Sequence, residues 1–412
     1  MSSKPGTLAE VVAGGLCTGC GLCASLAGSD KVKMGLSMRG HMRPYAKEPL
    51  EPELNTRIMA VCPGAHLTGP ETPSGRVEDI WGPVLELHRS WSRDPAVRHT
   101  ASAGGTLTAL GRYLLASGDV QAILHVRASA SKPWLTDAVV SVSDEEVIAG
   151  AQSRYGPAAP LVHVHRLLEE GLRFAVIAKP CDISAVRALA RSDGRVDQLV
   201  PYLLTNFCGG VPSMSTTSAI MRYHGVEEQD VAVFRYRGEG WPGPLRVLTR
   251  SGEAHDLPYG GAWIEKPWKY DKQFRCKICP DSIGEVADIA VPDGWLLKSG
   301  KPLYDEAPGV NALVVRTANG RQLVSSAVAA GYLELAPLSL DELALMHQNH
   351  RTLKLAAPAQ LLAMRVARQT TPVVSGYRLG RLFRIAGLRL SLRRFLGTVR
   401  RIRAGDNREP LI

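Results

Sequence analysis

At 412 residues, with 45% hydrophobic and 21% charged side chains, the chain can bury a core of two or three domains, which excludes a disordered polypeptide. Its formal net charge of +10 is concentrated at one end: between Met346 and Gly405 there is no Asp or Glu, against thirteen Lys and Arg. Removing those thirteen from +10 leaves about −3, so the remainder is near neutral and a nucleic-acid-binding body is not expected.

The start, Met1-Ser-Ser-Lys-Pro-Gly-Thr, lacks the charged and apolar halves of a secretory signal. No apolar run reaches the roughly 18 residues that a bilayer span requires, so the expected location is cytoplasmic, or peripheral at most. The first 75 residues are rich in Gly, Pro and Cys and close on the breaker cluster Gly69 to Gly75, as a linker would. From Val84 the pattern alternates. Strands are predicted at Val84 to Trp91, Val120 to Val126, Ala138 to Val142, Arg173 to Ala178 and Leu199 to Asn206. Helices are predicted at Gly105 to Ser117, His163 to Gly171, Ile183 to Arg191 and Ser213 to His224, followed by a β-rich stretch to about 335. The fold class expected is α/β.

Cys17-Thr-Gly-Cys20-Gly-Leu-Cys23 places three thiols three residues apart in a glycine-bearing loop, and Cys62-Pro63 supplies a fourth. C-x2-C-x2-C followed by Cys-Pro is the ferredoxin pattern for a [4Fe–4S] cube, which takes one thiolate at each iron. Structural zinc is the alternative, although zinc sites more often pair two C-x2-C units. The other four cysteines are Cys181 in Lys179-Pro-Cys-Asp182, Cys208 in Phe207-Cys-Gly-Gly210, and the pair Cys276 and Cys279. Alone, they read equally well as buried structural thiols. Cys181 lies just beyond a predicted strand, at the edge of an α/β sheet where ligands collect.

With these motifs in order, and with Thr100-Ala-Ser-Ala-Gly-Gly-Thr106, Ser153-Arg-Tyr-Gly156, Arg235-Tyr-Arg-Gly238, Ala287-Asp-Ile-Ala290 and Asp293-Gly294, the sequence resembles the coenzyme F420 hydrogenase/dehydrogenase beta subunits over roughly residues 10 to 335. The resemblance implies FAD, one or two [4Fe–4S] clusters, and hydride exchange with a deazaflavin or reduction of another substrate. The expected division is a ferredoxin-like iron–sulfur module (1–75), an α/β flavin-binding core in two parts (83–165 and 166–340) and, outside the resemblance, a basic helical segment (341–412). The resemblance implies that Cys181, Cys208, Cys276 and Cys279 hold a second cluster. Ser102, Gly104, Gly105 and Thr106, a small-residue turn before a helix, become FAD phosphate contacts, where residues alone suggest no more than a tight turn.

Arg154 and Tyr155 could pair with phosphate and pack on a ring, or form a solvated surface pair; Asp293 joins the cofactor-binding set through its motif. Lys179, a cation beside a thiolate, is the catalytic candidate, with a snorkelling surface lysine as the alternative. Many members have Gly-Thr-Pro-Cys-Gln where this chain has Ala178-Lys-Pro-Cys-Asp182. The partner implied is coenzyme F420, ferredoxin or a partner redox subunit. Rival readings are a ferredoxin-dependent reductase of a small organic substrate and a non-catalytic electron-transfer subunit. A zinc-stabilised nucleic-acid binder ranks last, since the basic end has only Tyr377, Phe383 and Phe395 to interleave.

The resemblance does not reach the basic end. Leu382, Ile385, Leu388, Leu392, Phe395, Leu396, Val399 and Ile402 recur at helical spacing between arginines, predicting a cationic amphipathic helix over about 376–404. Two readings stand: peripheral docking to an anionic membrane or acidic partner, in which case the segment is dispensable for the fold, or packing of the apolar stripe onto the body.

Overall fold

The computed structural model describes residues 4–70 and 76–409. Most of the predicted linker, 71–75, therefore lies outside the described residues. The centre is an eight-stranded mixed sheet in the order Leu333–Pro337, Glu86–Ser92, Asn311–Val315, Ile289–Ala290, Leu203–Thr205, Phe174–Ile177, Ala122–Ala128 and Thr136–Ser141. Ile289–Ala290, Leu203–Thr205, Phe174–Ile177 and Ala122–Ala128 run parallel; the flanking strands are antiparallel.

The parallel strands are apolar on both faces because both are covered. Ala122, Leu124, Phe174 and Val176 pack with Val164, Leu167, Ile183 and Val186 on one side. Ile123, Ala175, Leu204 and Ile289 meet Leu110, Leu114, Leu323 and Val324 on the other. The helix Ala318–Ala329 that supplies the last two residues falls in the stretch expected to be β-rich; Thr317 caps it, accepting from the Gly320 amide at 3.1 Å. A smaller three-stranded antiparallel sheet, Val231–Arg235, Leu245–Thr249 and Ala254–Leu257, packs with the helix Met214–Tyr223 around Trp134, Phe234 and Trp268.

Neither end of the chain stands apart from this body. Cys20, Leu22, Leu26 and Val61 share one apolar cluster with the sheet residues Phe174 and Val176, and the Leu161 amide donates to the Cys20 carbonyl at 2.9 Å. The described part of the 1–75 segment, residues 4–70, is thus built into the core.

The basic segment departs further from the expectation of a dispensable appendage. Lys354 and Arg378 both bind the carboxylate of Glu285, buried with Lys354 at 0% exposure. Ile402 packs with Val11, Leu16 and Met59, and Glu409 binds Arg43 at 2.6 Å with both side chains almost wholly buried. The helix Leu379–Arg403 forms as predicted but breaks at Gly387, whose φ of 69° no helix accommodates. No helix among the described residues is long and apolar enough to cross a membrane.

Candidate functional site

A cleft of about 980 Å³ runs along the C-terminal ends of the parallel strands. Ile177 to Lys179, Asn206 to Gly210 and Val291 to Asp293, the residues that follow three of those strands, line it. Ser102, Ala103, Gly105 and Thr106 also line it, in a turn that leads into the helix Thr106–Ala116. A Cβ at Gly104 would lie 2.7 Å from the Ser90 carbonyl and 2.8 Å from the Asn311 amide, so only glycine lets the turn sit against the sheet.

The hydroxyls of the turn are committed within the protein. Ser102 donates to the Arg237 carbonyl at 2.8 Å and accepts from the Ser153 amide at 2.6 Å, while Thr106 is 2.9 Å from Ser90 Oγ and gives its amide to Asn311. Ser102 and Thr106 therefore tie three segments together. A ligand's anionic group is left the amides of the first helical turn, where Leu107 and Thr108 line the cleft.

Arg154 corrects its sequence reading as a phosphate partner. All five guanidinium N–H donors meet protein acceptors: the carbonyls of Pro133, Leu135 and Phe234, Thr136 Oγ1 and Gln152 Oε1. Burial holds its pKa below the ordinary arginine value, and it is a clamp between loops with no donor left for an anion. Tyr155 lies edge-on to Trp263 with ring centroids 4.9 Å apart, giving the cleft an aromatic wall.

Asp293 accepts from Arg237 Nη1 through both oxygens, at 3.0 and 2.9 Å. Arg237 is boxed by the rings of Trp241, Tyr259 and Trp295, each about 5 Å away, and its Nη2 is buried without a protein partner. A charged donor at the cleft wall is thereby fixed, and Asp293 serves to hold it.

The eight cysteines are all free. Cys17, Cys20, Cys23 and Cys62 line one small cavity, with the Gly19 amide 3.4 Å from Cys17 Sγ. The second four also converge: Cys181 feels the charges of Cys208 and Cys276, and Cys208 those of Cys276 and Cys279. Amides of Gly210 and Val211 donate to Cys208 and Cys276, each at 3.4 Å. Amide-lined sets of four thiols match the donor chemistry of iron–sulfur ligation.

Burial pushes the thiols up, Cys62 and Cys279 to about 11 and Cys208 to about 12. The sets thus need a cationic centre to hold them as thiolates. Lys179 binds the fully buried Asp182 at 2.7 Å; burial alone would lower its pKa, but Asp182, Cys181 and Cys208 raise it, and the lysine stays charged. Lys179 and Cys208 belong at once to the second thiol group and to the cleft wall.

Sequence reasoning missed His347 and His350. His347 Nε2 lies 2.9 Å from the Asp293 carbonyl, and His350 stands 5.4 Å from the Phe207 ring at the cleft with both nitrogens buried and without protein partners. Burial lowers them to about 4 and about 3, so both are neutral at ordinary pH. Their i, i+3 spacing was visible, but its place beside Asp293 depends on the tertiary fold.

The family model for the C terminus of the coenzyme F420 hydrogenase/dehydrogenase beta subunit matches residues 171–341, and the model for the N-terminal part of the same subunit matches residues 87–166. The chain belongs to this family. It is 26% identical over 258 residues to F420-dependent formate dehydrogenase 1 subunit beta of Methanococcus maripaludis, covering 60% of this chain and 61% of that protein. The chain thus matches less than two thirds of that relative's length. To coenzyme F420 hydrogenase subunit beta of Methanothermobacter thermautotrophicus it is 23% identical over 279 residues, covering 63% and 86%. Among solved structures, a chain of the F420-reducing [NiFe] hydrogenase complex from Methanosarcina barkeri superposes with a TM-score of 0.55 at 22% identity, over 70% of this chain and 95% of that one, and shows the same fold.

Proposed function

We propose that this protein is an FAD- and iron–sulfur-dependent electron-transfer subunit of an oxidoreductase that exchanges electrons with coenzyme F420. The observation that carries the reading is the sharing of Cys208 and Lys179 between the second thiol group and the cleft. The named relatives act with coenzyme F420 as beta subunits, which supports both the substrate and a partner subunit.

When bound, iron–sulfur clusters supply single-electron steps and a flavin gathers them into pairs. Cys17, Cys20, Cys23 and Cys62 would hold one [4Fe–4S] cluster, and Cys181, Cys208, Cys276 and Cys279 another. The first-turn amides of the Thr106 helix would take the FAD pyrophosphate. Lys179 keeps a positive charge where reduced, anionic groups need one, and Arg237 Nη2 offers a buried donor to a ring carbonyl or anion.

Anaerobic reconstitution followed by counting of iron, sulfide and flavin, then mixing with reduced coenzyme F420, tests this. About eight irons and one FAD per chain, with the flavin bleached, are expected. About four irons would make the second thiol set structural, and bleaching by reduced ferredoxin alone would favour the ferredoxin-dependent reductase.

A further inference from the structure

The helix after Gly387 does not bury its apolar stripe. Leu388, Leu392 and Leu396, spaced four apart and so on one face, are 81%, 54% and 56% exposed. Ser391, Thr398 and Ile402 face the body instead, with Thr398 Oγ1 bonded to the Arg394 carbonyl at 2.9 Å. Phe395 and Val399 are half-buried beside the leucines. Arg389, Arg393 and Arg400 are exposed along the stripe's other margin, and no carboxylate among the described residues pairs with them. Earlier in the same helix Phe383 and Ile385 are also exposed, at 40% and 43%.

We propose that the segment Leu388–Arg403 lies in the plane of an anionic membrane surface, its leucines entering the acyl boundary and its arginines meeting lipid phosphates. The body already holds the inward face, so the helix is presented preformed, without the ordering cost of a helix that must fold on the surface. Arginines spread over about 17 Å beside a leucine row of about 12 Å suit an in-plane helix. The charge excludes a symmetric second copy, because the same patch twice would set arginines against arginines. Protein interfaces draw their central contacts from aromatic residues, whereas this row is aliphatic. The inference does not rest on the coenzyme F420 reading.

Co-sedimentation of the full, cofactor-loaded chain with vesicles tests it. Binding to phosphatidylcholine vesicles containing phosphatidylglycerol, and not to phosphatidylcholine alone, is expected, weakening with added salt. Leu388→Glu with Leu392→Glu should weaken binding about tenfold or more, as should Arg389→Gln with Arg393→Gln, while iron and flavin content stay unchanged. Equal binding to both vesicles, or none to the anionic ones, overturns the proposal. So does retained binding by the leucine variant, competition by polyglutamate that ignores the leucines, or a lipid-free dimer that Leu388→Glu abolishes.

Discussion

Gln273 donates its side-chain amide to the sulfur of Cys276 at 3.3 Å, and the same nitrogen lies 3.3 Å from the carbonyl of Thr18. One residue therefore touches both cysteine loops. Arg275, also buried, donates to the Pro63 carbonyl and sends its charge to both Cys62 and Cys279. Hydrogen bonds to sulfur stabilise the more negative, reduced state of a cluster. Gln273→Leu should lower the midpoint potential of the cluster proposed on Cys276, while iron content and the potential of the cluster proposed on Cys17 hold, as read by an EPR-monitored redox titration. An unchanged pair of potentials would remove Gln273 from the electronic path.

Cys20→Ser should remove about four irons per chain, as loss of one cube requires, and leave the other set loaded. Metal analysis after anaerobic preparation decides this; undiminished iron would end the assignment of the Cys17 loop.

Gly104→Ala should cost stability as well as flavin, because its Cβ would meet the Ser90 carbonyl and the Asn311 amide. A clash of this kind is expected to cost about 1–3 kcal/mol, measured by urea unfolding alongside bound flavin. Full stability in Gly104→Ala would mean the turn can move away.

Glu409→Ala should destabilise the protein by about 3 kcal/mol or more, since it leaves the Arg43 charge buried and unpaired. Replacing both Arg43 and Glu409 with Met should recover much of that loss. Urea unfolding of the two variants checks the ordering, and an unaffected Glu409→Ala would show that the tail is loose in solution.

Acid should weaken the fold through its buried histidines. Burial holds His125 and His347 at about 4, below the ordinary 6.5, so the unfolded chain binds protons first. Their contribution is complete above pH 6.5 and is lost as pH falls toward 4, at up to about 1.4 kcal/mol per pH unit for each group. His347→Gln should flatten the stability curve over that range relative to the parent. Parallel curves would show that His347 titrates normally.

The order of strands and helices around Phe174–Ile177 was legible because buried parallel strands read as short apolar runs between turn signals. The convergence of the Cys17, Cys20 and Cys23 thiols was legible because they lie three residues apart in sequence. Arg154 was read as a phosphate partner because the carbonyls that saturate it, one of them 80 residues away, come together only in the tertiary fold. The leucines of the terminal helix left two readings open: helical spacing reports that a face is apolar, and only the packed structure shows that Ser391 and Thr398, not Leu388 and Leu392, face inward.

Arg43 and Glu409 are 366 residues apart in sequence, and both send their charges to Cys17. The Glu409 amide also donates to the Ala13 carbonyl at 3.2 Å. The electrostatic surroundings of the first thiol set are therefore drawn from segments far apart in the chain. In synthesis the Cys17 loop emerges long before the Glu409 segment that pairs with Arg43, so a nascent chain holding only the loop has an unfinished thiol pocket, and a cluster proposed there would reach its final surroundings only once the tail has docked.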